Sequence, residues 1–138
     1  MTVRIAAVLV AATAIISGCQ SASTPAAAPV AASSGKSAAL RAMEPVAIAA
    51  YRCWFDSNDP AFRDYSFANE LDSHSGRPRF LLVPKSNYGG RPLLVVQAEG
   101  SEGRLTTFGP LTEQPLGQRI NGDIRRWALG DSGCTGTA

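Results

Sequence analysis

The sequence predicts an α+β fold, in which a main N-terminal helix packs on a four-stranded antiparallel sheet and a short C-terminal helix follows. Two observations predict it. Apolar residues recur at helical spacing near the start of the folded region and again near its end. Between these regions, four short segments with strand patterns are separated by turn-forming residues.

The main helix is predicted at about 45–55. The apolar residues that recur every three or four positions are Leu40, Met43, Ala47, Tyr51 and Trp54. Pro45 lies inside this pattern, and a proline in a helix interior removes a hydrogen bond and clashes with the preceding turn. Because proline is tolerated in the first turn, we place the firm helix start at Pro45. Whether residues 37–44 add a preceding helical turn stays open.

A loop is predicted at residues 56–60, which read Asp-Ser-Asn-Asp-Pro. Its acidic start superficially resembles a calcium loop, but Pro60, Ala61 and Phe67 stand where the EF-hand pattern requires an Asp or Asn, a glycine and a glutamate. We therefore predict no calcium site here. The side chains of Asp56 and Asp59 are interpreted as solvated.

Four strands are predicted after this loop. Residues 65–71 alternate apolar and polar side chains, the period of a half-buried strand. The apolar runs 80–83 and 93–96 each follow an Arg-Pro pair, and the turn-forming segment 87–90 between them predicts an antiparallel hairpin. A second turn, at residues 99–103, leads into the predicted fourth strand at 104–108.

The two central strands are apolar on both sides, so both faces of the sheet need cover. The main helix covers one face. We expect the C-terminal helix to cover the other face, with another protein as the alternative.

The C-terminal helix is predicted to begin with Asn121 as its capping residue. Ile124, Trp127 and Ala128 follow at helical spacing, and Gly130 provides a stop signal. Arg125 and Arg126 are expected on the opposite face, and the tail that follows is predicted to be a loop.

The chain begins with one cation, Arg4, and then the apolar segment Ile5–Ile16. This segment is too short to span a bilayer, which requires about 20 helical residues. A short basic start, an apolar run and small residues at its end are typical of a secretory signal. A buried N-terminal helix is the alternative.

The end of this segment, Ile16-Ser17-Gly18-Cys19, resembles the lipobox of bacterial lipoproteins. The resemblance implies that residues 1–18 are a signal peptide cut before Cys19, that Cys19 carries a diacylglycerol on its sulfur, and that the new amine receives a further acyl chain such as palmitate. Gln20 is not the aspartate that favours inner-membrane retention in this class. The resemblance therefore implies the outer membrane, with the inner membrane or a Gram-positive surface as alternatives.

Residues 19–36 are predicted to be the lipidated cysteine and a flexible linker, because Ala, Ser and Pro dominate and few bulky side chains are present. Residues 37–138 then form one small globular domain. Removal of Arg4 with the signal leaves 12 of the 13 cations against 11 acids. This near-neutral balance argues against a nucleic-acid partner.

Cys53 and Cys134 are the two cysteines left after Cys19 is assigned to lipid. Export places them in an oxidising compartment, so we predict a disulfide bond between them, with two free thiols as the alternative. Closing a loop of about 80 residues contributes roughly 4.5 kcal/mol in the chain-entropy model, as an upper figure.

The sequence carries few chemical signatures. His74, the single histidine, stands in Asp72-Ser73-His74-Ser75-Gly76, a composition more typical of a surface turn than of a catalytic triad. We predict no metal, no cofactor and no catalytic residue. Arg77, Arg79 and Arg91 could cluster at one end of the hairpin and meet lipid phosphates or a partner's acids, although solvated charges explain them more simply.

These observations predict a non-catalytic lipoprotein of the cell envelope, tethered to the membrane by its lipid, whose periplasmic domain binds an envelope component or assembly partner. One alternative is a small hydrolase that acts on wall or lipid and uses His74. Another is binding of a small ligand or wall polymer through Trp54, Tyr88 or Trp127, although a place in the core explains these aromatic residues better.

Overall fold

The structure is a computed structural model that describes residues 35–135. It confirms the predicted α+β arrangement of an N-terminal helix, a four-stranded antiparallel sheet and a C-terminal helix. The elements, in chain order, are α1 (Ala38–Ala50), a π-helical segment (Tyr51–Asp56), a 3-10 turn (Pro60–Phe62), β1 (Tyr65–Glu70), β2 (Arg79–Pro84), β3 (Leu94–Glu99), β4 (Arg104–Phe108), a second 3-10 turn (Pro110–Glu113) and α2 (Pro115–Ala128). The predicted signal peptide, Cys19 and the linker up to residue 34 lie outside the described residues.

The sheet has the order β1-β2-β3-β4, and each strand pairs antiparallel with the next. The hairpin of β2 and β3 forms as predicted, and within its loop the Gly90 amide donates to the Asn87 carbonyl at 2.9 Å. This order leaves β1 and β4 as the two edge strands, because in the described part of the chain neither has a second neighbour.

The first helix begins earlier than predicted. Ser37 caps it by accepting a hydrogen bond from the Leu40 amide at 3.1 Å, so the start at Pro45 was wrong. Pro45 lies inside the helix on its exposed side, where the missing donor costs one backbone bond while Ala39 and Met43 bury their side chains. The helix continues through the π-helical segment, in which the Ser57 amide donates to the Arg52 carbonyl at 3.0 Å.

The second helix also begins earlier, at Pro115, so Asn121 lies in its middle rather than at its cap. Asn121 and Gly122 lie on the exposed face of the helix. The prediction was wrong because polar residues on an exposed helix face resemble the polar residues of a helix cap. Gly117 sits so close to the preceding turn that an added Cβ would lie 2.2 Å from the Thr112 carbonyl oxygen. Gly130 follows the helix at a φ of 95°, as the predicted stop requires.

Both helices pack on the same face of the sheet, so the expectation that α2 covers the second face was wrong. Trp54 of the π-helical segment and Trp127 of α2 meet with their ring centres 5.1 Å apart, which places the two helical segments side by side. The core on this face contains Ala39, Met43, Val46, Ala47, Ala49, Ala50, Cys53, Trp54, Phe62, Phe80, Leu82, Leu94, Val96, Ala98, Leu111, Ile120, Ile124 and Trp127.

The second face carries a smaller apolar cluster formed by Leu81, Val83 and Val95, with Ala68 against it. Among residues 35–135, only strand side chains contribute to this cluster. Ion pairs stand on the same face: Arg79 binds Glu70 at 2.6 Å, and Arg104 binds Glu99 at 3.0 Å. No helix within the described residues has the length and apolar character needed to cross a bilayer.

Candidate functional site

An open groove runs between α1 and the edge strand β1. The helix presents two stripes of side chains, and the one that lines this groove is Leu40, Glu44, Ile48 and Tyr51. Ile48 is 65% exposed and Tyr51 is 53% exposed, so two large apolar side chains of the same groove are exposed at the surface. Leu40 and Tyr51 belong to the apolar repeat that predicted the helix, and the structure places both at the groove.

The middle of the groove is apolar and encloses about 500 Å³. Ala47, Ile48 and Tyr51 form the helix wall, and Phe67 and Leu71 form the strand wall. The Tyr51 and Phe67 rings meet edge to face with their centres 5.6 Å apart, and Phe67 in turn stacks on the buried Phe80 at 4.8 Å. These aromatic contacts join the walls of the groove to the core.

One end of the groove is polar and acidic, with a volume of about 910 Å³. Glu44 pairs with Lys36 at 2.7 Å and Glu70 pairs with Arg79 at 2.6 Å, whereas Asp72 makes no ion pair within the described residues. After these pairings, one carboxylate at this end lacks a matching cation. A positively charged group on a ligand would be attracted to it.

The predicted turn at 72–76 lies at this acidic end. The Gly76 amide donates to the Ser73 carbonyl at 3.0 Å, and Gly76 has a φ of 68°, so the segment is a turn as expected. The Ser73 hydroxyl lies 2.7 Å from the Ser75 hydroxyl, and no hydrogen bond to the His74 ring occurs in residues 35–135. The structure thus brings Asp72, Ser73 and His74 to one loop without joining them as a triad.

Every second residue of β1 directs its backbone amide and carbonyl away from β2, where no other strand of the described residues pairs with them. The Lys85 amide donates to the Asp64 carbonyl at 2.9 Å, which fixes the alternation along this antiparallel pair. Ser66 and Ala68 therefore direct their backbone groups toward β2, while Tyr65, Phe67 and Asn69 direct theirs away from the sheet. Side chains at these three outward positions share the face of the sheet that carries the helices.

The opposite side of the domain is closed by the C-terminal tail. The sulfur atoms of Cys53 and Cys134 lie 1.97 Å apart, a disulfide contact across a sequence separation of 81. The Trp127 indole donates to the Gly133 carbonyl at 3.0 Å, and the Thr135 hydroxyl donates to Asp123 at 3.0 Å. The tail is irregular, as predicted, and these contacts attach it to both helical segments.

Two carboxylates of the domain are buried, and one of them, Asp123, contacts this tail. Asp123 is 2% exposed and accepts hydrogen bonds from the Trp54 indole at 3.0 Å and from Arg126 at 2.8 Å. Asp59 is 3% exposed and accepts from Arg119 and from the Ala61 amide, so its interpretation as a solvated carboxylate was wrong. The interpretation failed because Arg119 is 60 residues away in the sequence, and only the fold brings it to Asp59.

The pKa of Asp59 reflects this environment. Burial alone would raise it, but the hydrogen bonds from Arg119 and Ala61 and the Arg119 charge hold the pKa of the carboxyl below its usual value. The Arg119 guanidinium also lies over the Phe62 ring, 5.4 Å from its centre. The Asp59 carboxylate is therefore buried, whereas the Arg119 side chain that pairs with it is 29% exposed.

The other candidate residues are scattered. Arg79 binds Glu70 and Arg77 lies 3.7 Å from Glu99, whereas Arg91 precedes β3 at the opposite end of the hairpin, so the proposed arginine cluster does not form. Trp54 and Trp127 are core residues, and Tyr88 is exposed in the β2–β3 loop. Within residues 35–135, no group of three or more His, Cys, Asp or Glu side chains is placed to hold a metal ion.

The fold and the groove define a small α+β domain with a disulfide-linked closed side and an open side between a helix and an edge strand. Comparisons of the chain with protein-family models, with curated proteins and with solved structures give no match.

The groove could have been found from one sequence signal. Leu40, Glu44 and Ile48 repeat every four residues, which marks a second stripe on a helix that starts at Ala38. With the helix start placed at Pro45, that stripe is not visible.

Proposed function

We propose that this chain is a non-catalytic lipoprotein of the bacterial cell envelope whose domain binds another envelope component. The observation that carries the binding role is the open apolar groove, where Ile48 and Tyr51 stand exposed beside an unpaired edge strand. Contiguous exposed apolar surface of this kind is typical of interaction sites in soluble domains.

The membrane attachment in this proposal rests on the residues at the chain start. The lipobox-like Ile16-Ser17-Gly18-Cys19 supports lipidation at Cys19, and two or more acyl chains give stable anchoring. Gln20 supports the outer membrane, with the domain facing the periplasm. At full stretch, residues 20–36 would let the domain stand about 55 Å from the bilayer.

The binding role is tested by photo-crosslinking in cells of the native host. A benzoylphenylalanine at position 51 replaces one exposed tyrosine, and the same residue at position 88 is the matched control, because Tyr88 is 62% exposed on the β2–β3 loop away from the groove. We expect a discrete crosslinked product from position 51 and none from position 88. Equal labelling at both positions, or none at either, would contradict the proposal.

The anchor is tested separately by metabolic labelling with a palmitate analogue. The wild-type chain is expected to carry the label and to fractionate with the outer membrane, whereas Cys19→Ala loses both properties. Unlabelled wild-type protein of full precursor length would contradict lipidation at this position.

The alternative function, a small hydrolase acting on wall or lipid, has one structural observation in its favour. His74 lies at the acidic end of the groove with Glu44, Glu70 and Asp72, where an imidazole and carboxylates are close to one cavity. His74→Ala distinguishes the two roles. Normal cellular function and an unchanged position-51 crosslink support the binding role, whereas lost function in a normally folded protein with an intact crosslink supports the hydrolase.

A further inference from the structure

We propose that the groove binds an extended polypeptide segment, which pairs with the free edge of β1 as an added strand. This inference rests on the proposed binding function and specifies its ligand. The segment has apolar side chains at alternate positions and a cation at the end that lies near Asp72.

The backbone of β1 provides the first argument. Tyr65, Phe67 and Asn69 direct their amide and carbonyl groups away from β2, and within residues 35–135 no other strand pairs with them. A row of unpaired strand groups is a template for another extended chain. Helices and small ligands satisfy such a row poorly, because only an extended backbone repeats its donors and acceptors at the same spacing.

Side-chain direction provides the second argument. A residue on the added strand that stands opposite Phe67 must direct its side chain to the face that Phe67 occupies. The groove lies on that face, with Ile48 and Tyr51 on its far wall. Residues two positions away on the added strand point the same way, so alternating apolar side chains enter the groove one after another.

The two edge strands are alike in composition but differ in their surroundings. Neither β1 nor β4 contains proline or lysine, and each has one charged residue at its end, Glu70 in β1 and Arg104 in β4. Neither edge therefore carries, along its length, the charges and prolines by which natural edge strands prevent pairing. Because the apolar groove lies along β1, we assign the partner strand to β1.

Charge argues against a second copy of this chain as the partner. If β1 paired antiparallel with itself about Phe67, Asp64 would stand opposite Glu70, and a shift that sets Phe67 opposite Asn69 would place Asp64 opposite Asp72. Like charges directly opposite each other destabilise strand pairing. A segment with Lys or Arg at this end would instead be attracted to Asp72, which has no ion pair in the described part of the chain.

The test uses a phage-displayed library of random ten-residue peptides, selected on the mature chain held in lipid nanodiscs. Selected peptides are expected to alternate apolar and polar residues, to lack a central proline and to carry Lys or Arg at one end. Their affinity is then measured for Asn69→Pro and for Asn69→Ala. Asn69 is exposed and its amide points away from β2, so both variants should fold and should show similar thermal unfolding.

Strand addition predicts that Asn69→Pro binds the selected peptides about tenfold or more weakly than Asn69→Ala, because only the proline variant loses the outward amide and adds a ring at the edge. Ile48→Asp should weaken the same peptides. Hydrogen exchange at the Phe67 and Asn69 amides should slow on saturation with peptide, while amides of the β2–β3 loop stay unchanged.

Several results would overturn the inference: no selected peptides, equal binding by the proline and alanine variants, unchanged exchange at Phe67 and Asn69, or a dimer formed through β1. These results are separable from failure of the proposed function. A position-51 crosslink to an envelope component that persists in Asn69→Pro would leave the binding role in place and reject strand addition alone.

Discussion

The two sides of the first helix differ in what they contribute to the molecule. On the closed side, Cys53 and Trp54 contact the C-terminal tail, α2 and Asp123, and all three of these side chains are buried. On the open side, Ile48 and Tyr51 of the same continuous helix face solvent beside the unpaired edge of β1.

The residues that stabilise the fold are therefore different from the residues that the proposed binding role would use. Burial, a disulfide and charge pairs on the closed side contribute to the free energy of folding. Exposed apolar side chains on the open side contribute little to it, because they remain in water in the folded domain. Variants on the closed side should therefore change unfolding, and variants in the groove should change binding.

The largest expected effect is loss of the disulfide. Cys53→Ser with Cys134→Ser should lower the free energy of unfolding by about 3 to 4.5 kcal/mol, because it removes a constraint that closes a long loop of the unfolded chain. Thermal unfolding measures this as a fall in Tm of more than about 10 °C.

The control for this variant is the wild-type chain in a thiol reductant, which should reach a similar Tm. If neither treatment changes the Tm, the closed side owes its stability to packing alone, and the contrast between the two sides becomes weaker.

Removal of the buried carboxylate Asp123 is the next largest change. Asp123→Ala leaves the Trp54 indole and the guanidinium of Arg126 without their buried acceptor, so we expect a loss of about 3 kcal/mol in chemical denaturation. Asp131→Ala is the matched control, since Asp131 also pairs with Arg126 but its side chain is 61% exposed. It should change the free energy of unfolding much less than Asp123→Ala does, because solvent screens an exposed pair. If Asp123→Ala and Asp131→Ala lowered the free energy of unfolding equally, burial of Asp123 would not explain its contribution to stability.

The pH dependence of unfolding is a smaller effect of the same region. The folded-state pKa of Asp59 is lowered, so its ionised form stabilises the fold above the unfolded-state value of about 3.9, and this contribution is lost as the pH falls through the folded-state pKa. Asp59→Asn should therefore be less stable than wild type near neutral pH and should lose less stability on acidification. Parallel pH profiles for the two proteins would contradict this role of Asp59.

The smallest expected effect on stability lies in the groove. Ile48→Ser should change the free energy of unfolding by no more than about 0.5 kcal/mol, because the side chain is mostly solvated already. Ile124→Ser is the control with the same substitution at a buried position, and it should cost about 3 kcal/mol or more. A large loss for Ile48→Ser would make the groove part of the core and remove the distinction between the two sides.

The sequence located the four strands closely because turn residues and period-two patterns are local signals. The hairpin formed by β2 and β3 needed only its apolar runs and the turn near Asn87 and Gly90. Helix starts were less accurate. The prediction began the first helix at Pro45, whereas Ser37 caps a helix that begins at Ala38. It also took Asn121 as a capping residue, whereas Asn121 lies in the exposed middle of α2.

The groove and the buried ion pairs were missed for a different reason. Nothing local distinguishes Asp59, which is buried against Arg119, from Asp56, which is exposed in a similar segment. In the same way, Tyr51 fits the apolar repeat of the helix, but the fold turns it to the groove. Such assignments depend on which distant elements meet.

The sequence by itself determined the α+β class and the positions of the four strands, because each depends on neighbouring residues, and it supplies the lipobox-like motif on which the proposed lipidation of Cys19 rests. Only the tertiary structure decided that both helices share one face of the sheet, that Asp59 and Asp123 are buried with arginines, and that β1 keeps a free edge beside an apolar groove. These features arise from contacts between residues far apart in the chain, where packing of whole elements outweighs local preference.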